Sequence, residues 1–170
     1  MNGTSGLDAF NAMPEPEARE QLRRCLDVPR WVDTVLAGRP YADPDALRAV
    51  AANAAELDAD ELDAALAGHP RIGERAGAGH DRAFSSAEQS GVDRDDAEVV
   101  RRLAEGNRAY EERFDRVFLI RAAGRDAAEI LAELERRLGN DDDTERAETI
   151  EQLRQIALLR LTHVVETERP

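Results

Sequence analysis

Apolar residues recur at steps of three or four along most of the chain, which is the period of an amphipathic α-helix. The period predicts helices over residues 14–26, 31–36, 60–67 and 93–114. The first of these carries Ala18, Leu22, Cys25 and Leu26 on one face. The face predicted for 93–114 consists of Ala97, Val100, Leu103, Asn107, Tyr110 and Phe114.

Capping residues predict where three further helices begin. Asp43 before Pro44 has the form of an N-cap followed by proline in the first turn. Asp126 and Glu129 have the spacing of a capping box, and the helix they open is expected to end near Gly139-Asn140. The acidic run 141–143 precedes the last helix, whose apolar face is predicted to be Ile150, Leu153, Ala157, Leu161 and Val164.

Two segments lack a helical period. Residues 69–84 are rich in Gly, Arg and His, which predicts a long loop and, for that reason, a functional candidate. Residues 117–120 are four apolar residues in a row, and without a partner strand they are expected to form an extended buried segment. The whole pattern predicts an all-α fold, a single compact domain over 1–170 with roughly eight helices, several of them short.

Composition narrows the class of protein. The net charge of −13 argues against nucleic acid or an anionic membrane as partner, since both need basic surfaces. No apolar run is long enough to span a membrane, and the single cysteine, Cys25, fits a reducing cytoplasm and a buried apolar position. Every basic residue is arginine; if the acidic surface is an adaptation to salt, the fold will be more stable at high salt than at low salt.

The three histidines do not form a metal-binding pattern, so no metal and no cofactor are expected. His163 is interpreted as a surface residue near a helix end, and His80 as a loop residue that could approach a site. His69 differs, because Pro70 restricts its backbone to extended conformations and holds the ring in a stiff frame.

Other polar residues leave two interpretations open. Ser85 and Glu88 have capping-box spacing, but this helix start also follows the His69 loop, where Glu88 and Gln89 could meet a polar heterocycle. Arg160 borders the apolar face of the last helix; it is either a snorkelling side chain paired with an acid or a guanidinium turned into a cavity to bind an anion. Arg71 and Glu74 are interpreted as a pair that shapes the loop.

Several motifs, in order, resemble the OHCU (2-oxo-4-hydroxy-4-carboxy-5-ureidoimidazoline) decarboxylase family. They are Cys25…Trp31-Val32…Arg39-Pro40-Tyr41, Gly68-His69-Pro70-Arg71-Ile72-Gly73-Glu74, Ser85-x-x-Glu88-Gln89, Asn107-x-x-Tyr110-x-x-x-Phe114 and Ile156-Ala157-x-x-Arg160-Leu161. The resemblance covers about 10–164. One departure is clear: many relatives have Phe-Gly-Phe-Pro-Phe where this chain has Phe114-Asp115-Arg116-Val117-Phe118.

The resemblance implies a cytoplasmic, homodimeric carboxy-lyase of urate degradation that turns a small molecule, OHCU, into S-allantoin and CO2 without a cofactor. It implies that His69 is the central catalytic residue and that Glu88 polarises it or the substrate hydroxyl. The substrate-binding residues it implies are Pro70, Ser85, Gln89, Phe118, Leu119, Ile120 and Arg160. Two alternatives stay open: a non-enzymatic acidic helical interaction module, and a hydrolase or lyase acting on another ureide.

Overall fold

A computed structural model describes residues 5–67, 69 and 97–166. Over these residues it contains helices and no strand, which confirms the all-α prediction. We number the helices α1 (Gly6–Ala12), α2 (Glu15–Cys25), α3 (Pro29–Ala37), α4 (Pro44–Ala54), α5 (Ala59–Leu66), α6 (Ala97–Phe114), α7 (Ala127–Arg137) and α8 (Asp142–Glu166). None of these helices is both long and apolar enough to cross a membrane.

Aspartate side chains begin four of the helices. Asp43 accepts a hydrogen bond from the N–H of Ala46, and Asp126 accepts one from the N–H of Glu129, as predicted. Asp141 caps α8 through the N–H of Thr144. A reciprocal capping box that was not predicted opens α5: the Asp58 side chain accepts from the Glu61 N–H, and the Glu61 carboxylate accepts from the Asp58 N–H.

The described residues of Met1–Ala65 and Arg154–Pro170 form one compact unit. In it α2 packs on α3 and α3 on α4. Trp31 is fully buried on α3, and its indole N–H donates to the carbonyl of Ala51 on α4 at 2.9 Å. Cys25 is also buried, as expected for a small apolar residue on α2.

The described residues of Leu66–Leu153 form a second unit, in which α6 packs along α7. Its core consists of Leu103, Tyr110, Phe114, Phe118, Ile120, Ala122, Ala127, Ile130, Leu131 and Leu134. The segment 117–120 is neither helix nor strand, and its last three residues are buried, in agreement with the prediction of a buried segment.

The predicted apolar face of α6 is wrong at its first turn. Val100 is 40% exposed and Ala97 is exposed, whereas Val99 packs against the core. Val99 and Val100 lie four and three residues before Leu103, so helical period alone allows either to share its face. Packing against the neighbouring elements decides between them.

The buried face of α8 is also different at its ends from the predicted one. Leu153, Ala157 and Leu161 are buried as expected, but Ile150 and Val164 are only half-buried. Their neighbours Thr149 and Val165 are buried instead. The predicted loop 69–84, apart from His69, and the helix start at Ser85 lie outside the described residues.

Candidate functional site

His69 lies just beyond the carboxyl end of α5. Its backbone N–H donates to the carbonyl of Leu66, at 3.0 Å, and the residue is half-buried. This bond joins His69 to the last residue of α5, so the backbone that carries the imidazole is fixed to that helix. Of the residues predicted to surround it, Pro70, Ser85, Glu88 and Gln89 lie outside the described residues.

The three substrate-binding residues predicted after α6 form one continuous buried segment. Phe118, Leu119 and Ile120 are 1%, 4% and 3% exposed. The chain reaches them through Asp115, which follows the last residue of α6 with a left-handed backbone, φ 55°. Glycine is the residue best suited to that conformation.

Side chains hold the backbone of this segment from two directions. The guanidinium of Arg137, from α7, donates through Nη1 to the carbonyl of Leu119 at 2.7 Å. The amide oxygen of Gln152, from α8, accepts from the N–H of Arg121 at 2.9 Å. The two anchored peptide groups flank Ile120.

Arg137 is itself held by a buried polar network. Its Nε donates to Oε1 of Glu145 at 2.8 Å, and its Nη2 donates to the hydroxyl of Thr149 at 3.2 Å. The guanidinium also lies 4.6 Å from the ring centre of Phe118, within the range of a cation–π contact. A buried arginine with this many partners has one available geometry, so the Leu119 carbonyl is fixed with it.

Tyr110 closes the network from α6. Its phenol donates to Oε1 of Glu145 at 2.6 Å, and its ring meets that of Phe118 edge-on with centroids 5.3 Å apart. Burial, and then the hydrogen bond to the Glu145 carboxylate, raise the pKa of Tyr110 to about 12. The phenol therefore stays protonated and acts as a fixed donor rather than as an acid–base group near neutral pH.

Arg137, Glu145 and Gln152 were not predicted from the sequence as functional residues. A signal was present for two of them. Arg137 continues the apolar stripe of α7 at the spacing of Ile130 and Leu134, and Glu145 lies two helical steps of four before Leu153. Polar residues in register with a buried stripe indicate buried polar partners.

Arg160 is 1% exposed, which rules out the interpretation of it as a snorkelling side chain. Its Nη1 donates to the backbone carbonyl of Arg24 at 3.1 Å, beside the last residue of α2. A guanidinium that is removed from water and oriented by a main-chain carbonyl suits recognition of an anion or a planar polar group.

The described residues contain no group of three or more His, Cys, Asp or Glu side chains that could hold a metal ion. Of the predicted site residues, the structure describes the buried segment 118–120, the buried Arg160 and the half-buried His69.

Comparison with known proteins places these elements in a family. Residues 11–162 match the model of the OHCU decarboxylase family. The 2-oxo-4-hydroxy-4-carboxy-5-ureidoimidazoline decarboxylase of Haloferax volcanii is 30% identical over 142 residues, which cover 81% of this chain and 83% of that protein.

Two solved structures share the fold. A crystal structure of an OHCU decarboxylase in the presence of (S)-allantoin superposes with a TM-score of 0.72 at 20% identity, covering 87% of this chain and 99% of that one. A crystal structure of an (S)-allantoin synthase gives a TM-score of 0.70 at 16% identity, covering 95% of this chain and 54% of that one.

Proposed function

The chain belongs to the OHCU decarboxylase family, and on that premise we propose that it converts OHCU to S-allantoin and CO2 with His69 as the central catalytic residue. The family match over residues 11–162 is the observation that carries this conclusion. It makes the protein a carboxy-lyase of urate degradation. The roles of individual residues are our proposal.

The substrate explains why few residues are needed. Its carboxylate is attached to a carbon that bears a hydroxyl and lies next to a C=N bond. When the bond to CO2 breaks, the electron pair flows into the imine and leaves an enol, so the substrate supplies its own electron sink. The enol then becomes a ketone as one face of the neighbouring carbon is protonated, and the net reaction takes up one proton.

The protein must therefore do three things. It turns the carboxylate out of the plane of the ring, stabilises the developing enol and delivers the proton to one face. We assign proton transfer at the hydroxyl or carboxylate to His69, with Glu88 polarising it. The residues assigned to hold the substrate are Pro70, Ser85, Gln89, Arg160 and the backbone of Phe118, Leu119 and Ile120.

Three features of the described residues support these assignments. The backbone N–H of His69 donates to the carbonyl of Leu66 in α5, so the backbone that carries the imidazole ring is fixed. The segment 118–120 is buried and anchored, as a binding surface for a polar ring requires. Arg160 provides a buried positive charge, which suits a substrate that carries a carboxylate.

The decisive experiment follows the optical activity of the product. OHCU decays spontaneously to racemic allantoin, so circular dichroism of the allantoin separates catalysis from decay. The wild-type protein, with no added cofactor, is expected to release CO2 and to form S-allantoin in excess. His69→Asn is expected to lose most of this activity and to keep the helical far-UV spectrum of the wild type.

The matched control is His163→Asn, which changes an exposed histidine on α8. It is expected to retain wild-type activity. Full activity in His69→Asn would refute the role of His69. Racemic product from the wild-type protein would refute the reaction itself and would favour an interaction module or a different ureide as substrate.

We also propose, on the family resemblance, that the protein is a cytoplasmic homodimer and that 1–170 acts as one OHCU decarboxylase-like domain. Analytical ultracentrifugation tests whether the protein is a dimer, and a single cooperative unfolding transition tests whether 1–170 acts as one domain. A monomer, or two separate transitions, would contradict the corresponding statement.

A further inference from the structure

We propose that Arg137 and Gln152 are positioning residues that aim the backbone N–H and C=O of Ile120 at the ureide substrate. This inference rests on the proposed function. Neither side chain belongs to the predicted site. Their role is to orient Ile120, which is the residue of the segment 118–120 that contacts the substrate.

Peptide geometry supplies the first step. The carbonyl of Leu119 and the N–H of Ile120 belong to one peptide group, and the carbonyl of Ile120 and the N–H of Arg121 belong to the next. In a planar trans peptide the C=O and N–H point in opposite directions. Because Arg137 holds the Leu119 carbonyl and Gln152 holds the Arg121 N–H, the Ile120 N–H points away from Arg137 and the Ile120 carbonyl points away from Gln152.

The N–H and the carbonyl of Ile120 are buried polar groups. Ile120 is 3% exposed, and within residues 5–67, 69 and 97–166 neither its N–H nor its carbonyl has a hydrogen-bond partner. Buried backbone groups are normally paired. A ureide has N–H and C=O groups side by side, so it can accept from the Ile120 N–H and donate to the Ile120 carbonyl.

The third step is rigidity. Arg137 is 1% exposed and bonds to Glu145 and Thr149 while it lies over Phe118. Gln152 belongs to the same helix as Glu145 and Thr149. One helix, α8, therefore both supplies Gln152 and holds Arg137 in place. The N–H and carbonyl of Ile120 are thus oriented before the substrate binds.

The test compares two substitutions at Gln152. Gln152→Met keeps the length of the side chain and removes the strong acceptor, and we expect the KM for OHCU to rise about tenfold, the loss of roughly one oriented hydrogen bond. The excess of S-allantoin over the R form is also expected to fall. Gln152→Glu keeps an acceptor oxygen and is expected to restore both values to near those of the wild type.

The matched control is Gln21→Met, which makes the same change at a half-buried glutamine on α2. It is expected to keep the wild-type KM and product excess. Equal effects in Gln152→Met and Gln152→Glu would overturn the inference, as would a wild-type KM and product excess in Gln152→Met.

Arg137→Lys tests the second anchor, because Nε bonds to Glu145 and Nη1 to the Leu119 carbonyl, and one ammonium nitrogen cannot occupy both of these positions. We expect a similar rise in KM. Arg101→Lys makes the same change at an exposed arginine of α6 paired with Glu105 and is expected to keep the KM. If one anchor variant does not fold, the other carries the test, since each removes a different anchor of Ile120.

These results separate the two proposals. A wild-type protein that yields only racemic allantoin contradicts the proposed function. An active wild-type protein whose Gln152→Met and Arg137→Lys variants keep its KM and product excess contradicts only the positioning role.

Discussion

Arg137 and Glu145 form an ion pair in which the side chains are 2% and 0% exposed. The carboxylate also accepts from the phenol of Tyr110, at 2.6 Å, and from the side-chain amide of Asn140, at 3.0 Å. A buried pair stabilises a fold only when the remaining hydrogen-bonding groups of both partners are satisfied. Here the surrounding donors meet that condition, and the pair links α7 to the start of α8.

We expect Glu145→Gln to destabilise the protein by about 3 kcal/mol, because it removes the buried carboxylate partner of Arg137 and leaves that charge only the more distant Glu148, at 3.5 Å. Urea unfolding at pH 7 measures the change. The control is Glu105→Gln, which breaks the exposed pair of Glu105 with Arg101 and is expected to cost at most about 1 kcal/mol. Similar losses in the two variants would contradict a special role for the buried pair.

Alkaline pH is expected to weaken the fold through Tyr110. Its folded pKa, raised to about 12 by burial and by Glu145, lies above its ordinary value of 10.0. The unfolded chain therefore loses this proton first, and the stability that is complete below pH 10 falls as the pH rises towards 12, by roughly 2–3 kcal/mol in all. The chain has no lysine to titrate in this range.

Urea unfolding between pH 9 and 12 tests this expectation. Tyr110→Phe is expected to flatten the decline. Burial also raises the pKa of Tyr41, so Tyr41→Phe removes a separate contribution at the second of the two tyrosines and leaves that of Tyr110 in place. An unchanged slope in Tyr110→Phe would show that another group causes the loss.

Asp115→Gly is expected to stabilise the protein by up to about 1 kcal/mol, because Asp115 has φ 55° and glycine adopts that conformation without steric cost. Asp63→Gly is the control. It places glycine within α5, where it is expected to lower stability by some tenths of a kcal/mol. Thermal unfolding distinguishes the two, and a loss of stability in Asp115→Gly would mean that the aspartate side chain contributes more than the backbone costs.

Arg160→Lys is expected to raise the KM for OHCU at least about tenfold. The guanidinium is 1% exposed and one of its N–H groups donates to the Arg24 carbonyl, whereas a lysine ammonium cannot reproduce that planar arrangement. Arg146→Lys, an exposed arginine of α8 paired with Asp142, is the control and is expected to keep the wild-type KM. A wild-type KM in Arg160→Lys would remove Arg160 from the binding site.

The helical class, most helix positions and several helix starts follow from the sequence, because they depend on local spacing and capping. Asp43 and Asp126 each cap a helix by accepting from the backbone N–H of the residue three positions later. A cap of this kind can be predicted from the local sequence. The family could also be recognised, since its motifs are short and keep their order.

Which polar residues become buried partners depends on contacts between residues that are far apart in the chain. Arg137 reaches back 18 residues to Leu119, Tyr110 reaches forward 35 to Glu145, and Gln152 reaches back 31 to Arg121. Helical period tells which residues share a face but not what that face meets, as the choice of Val99 over Val100 shows. The orientation of the Ile120 peptide groups depends on such contacts between distant residues, so it follows from packing and not from the pattern along the chain.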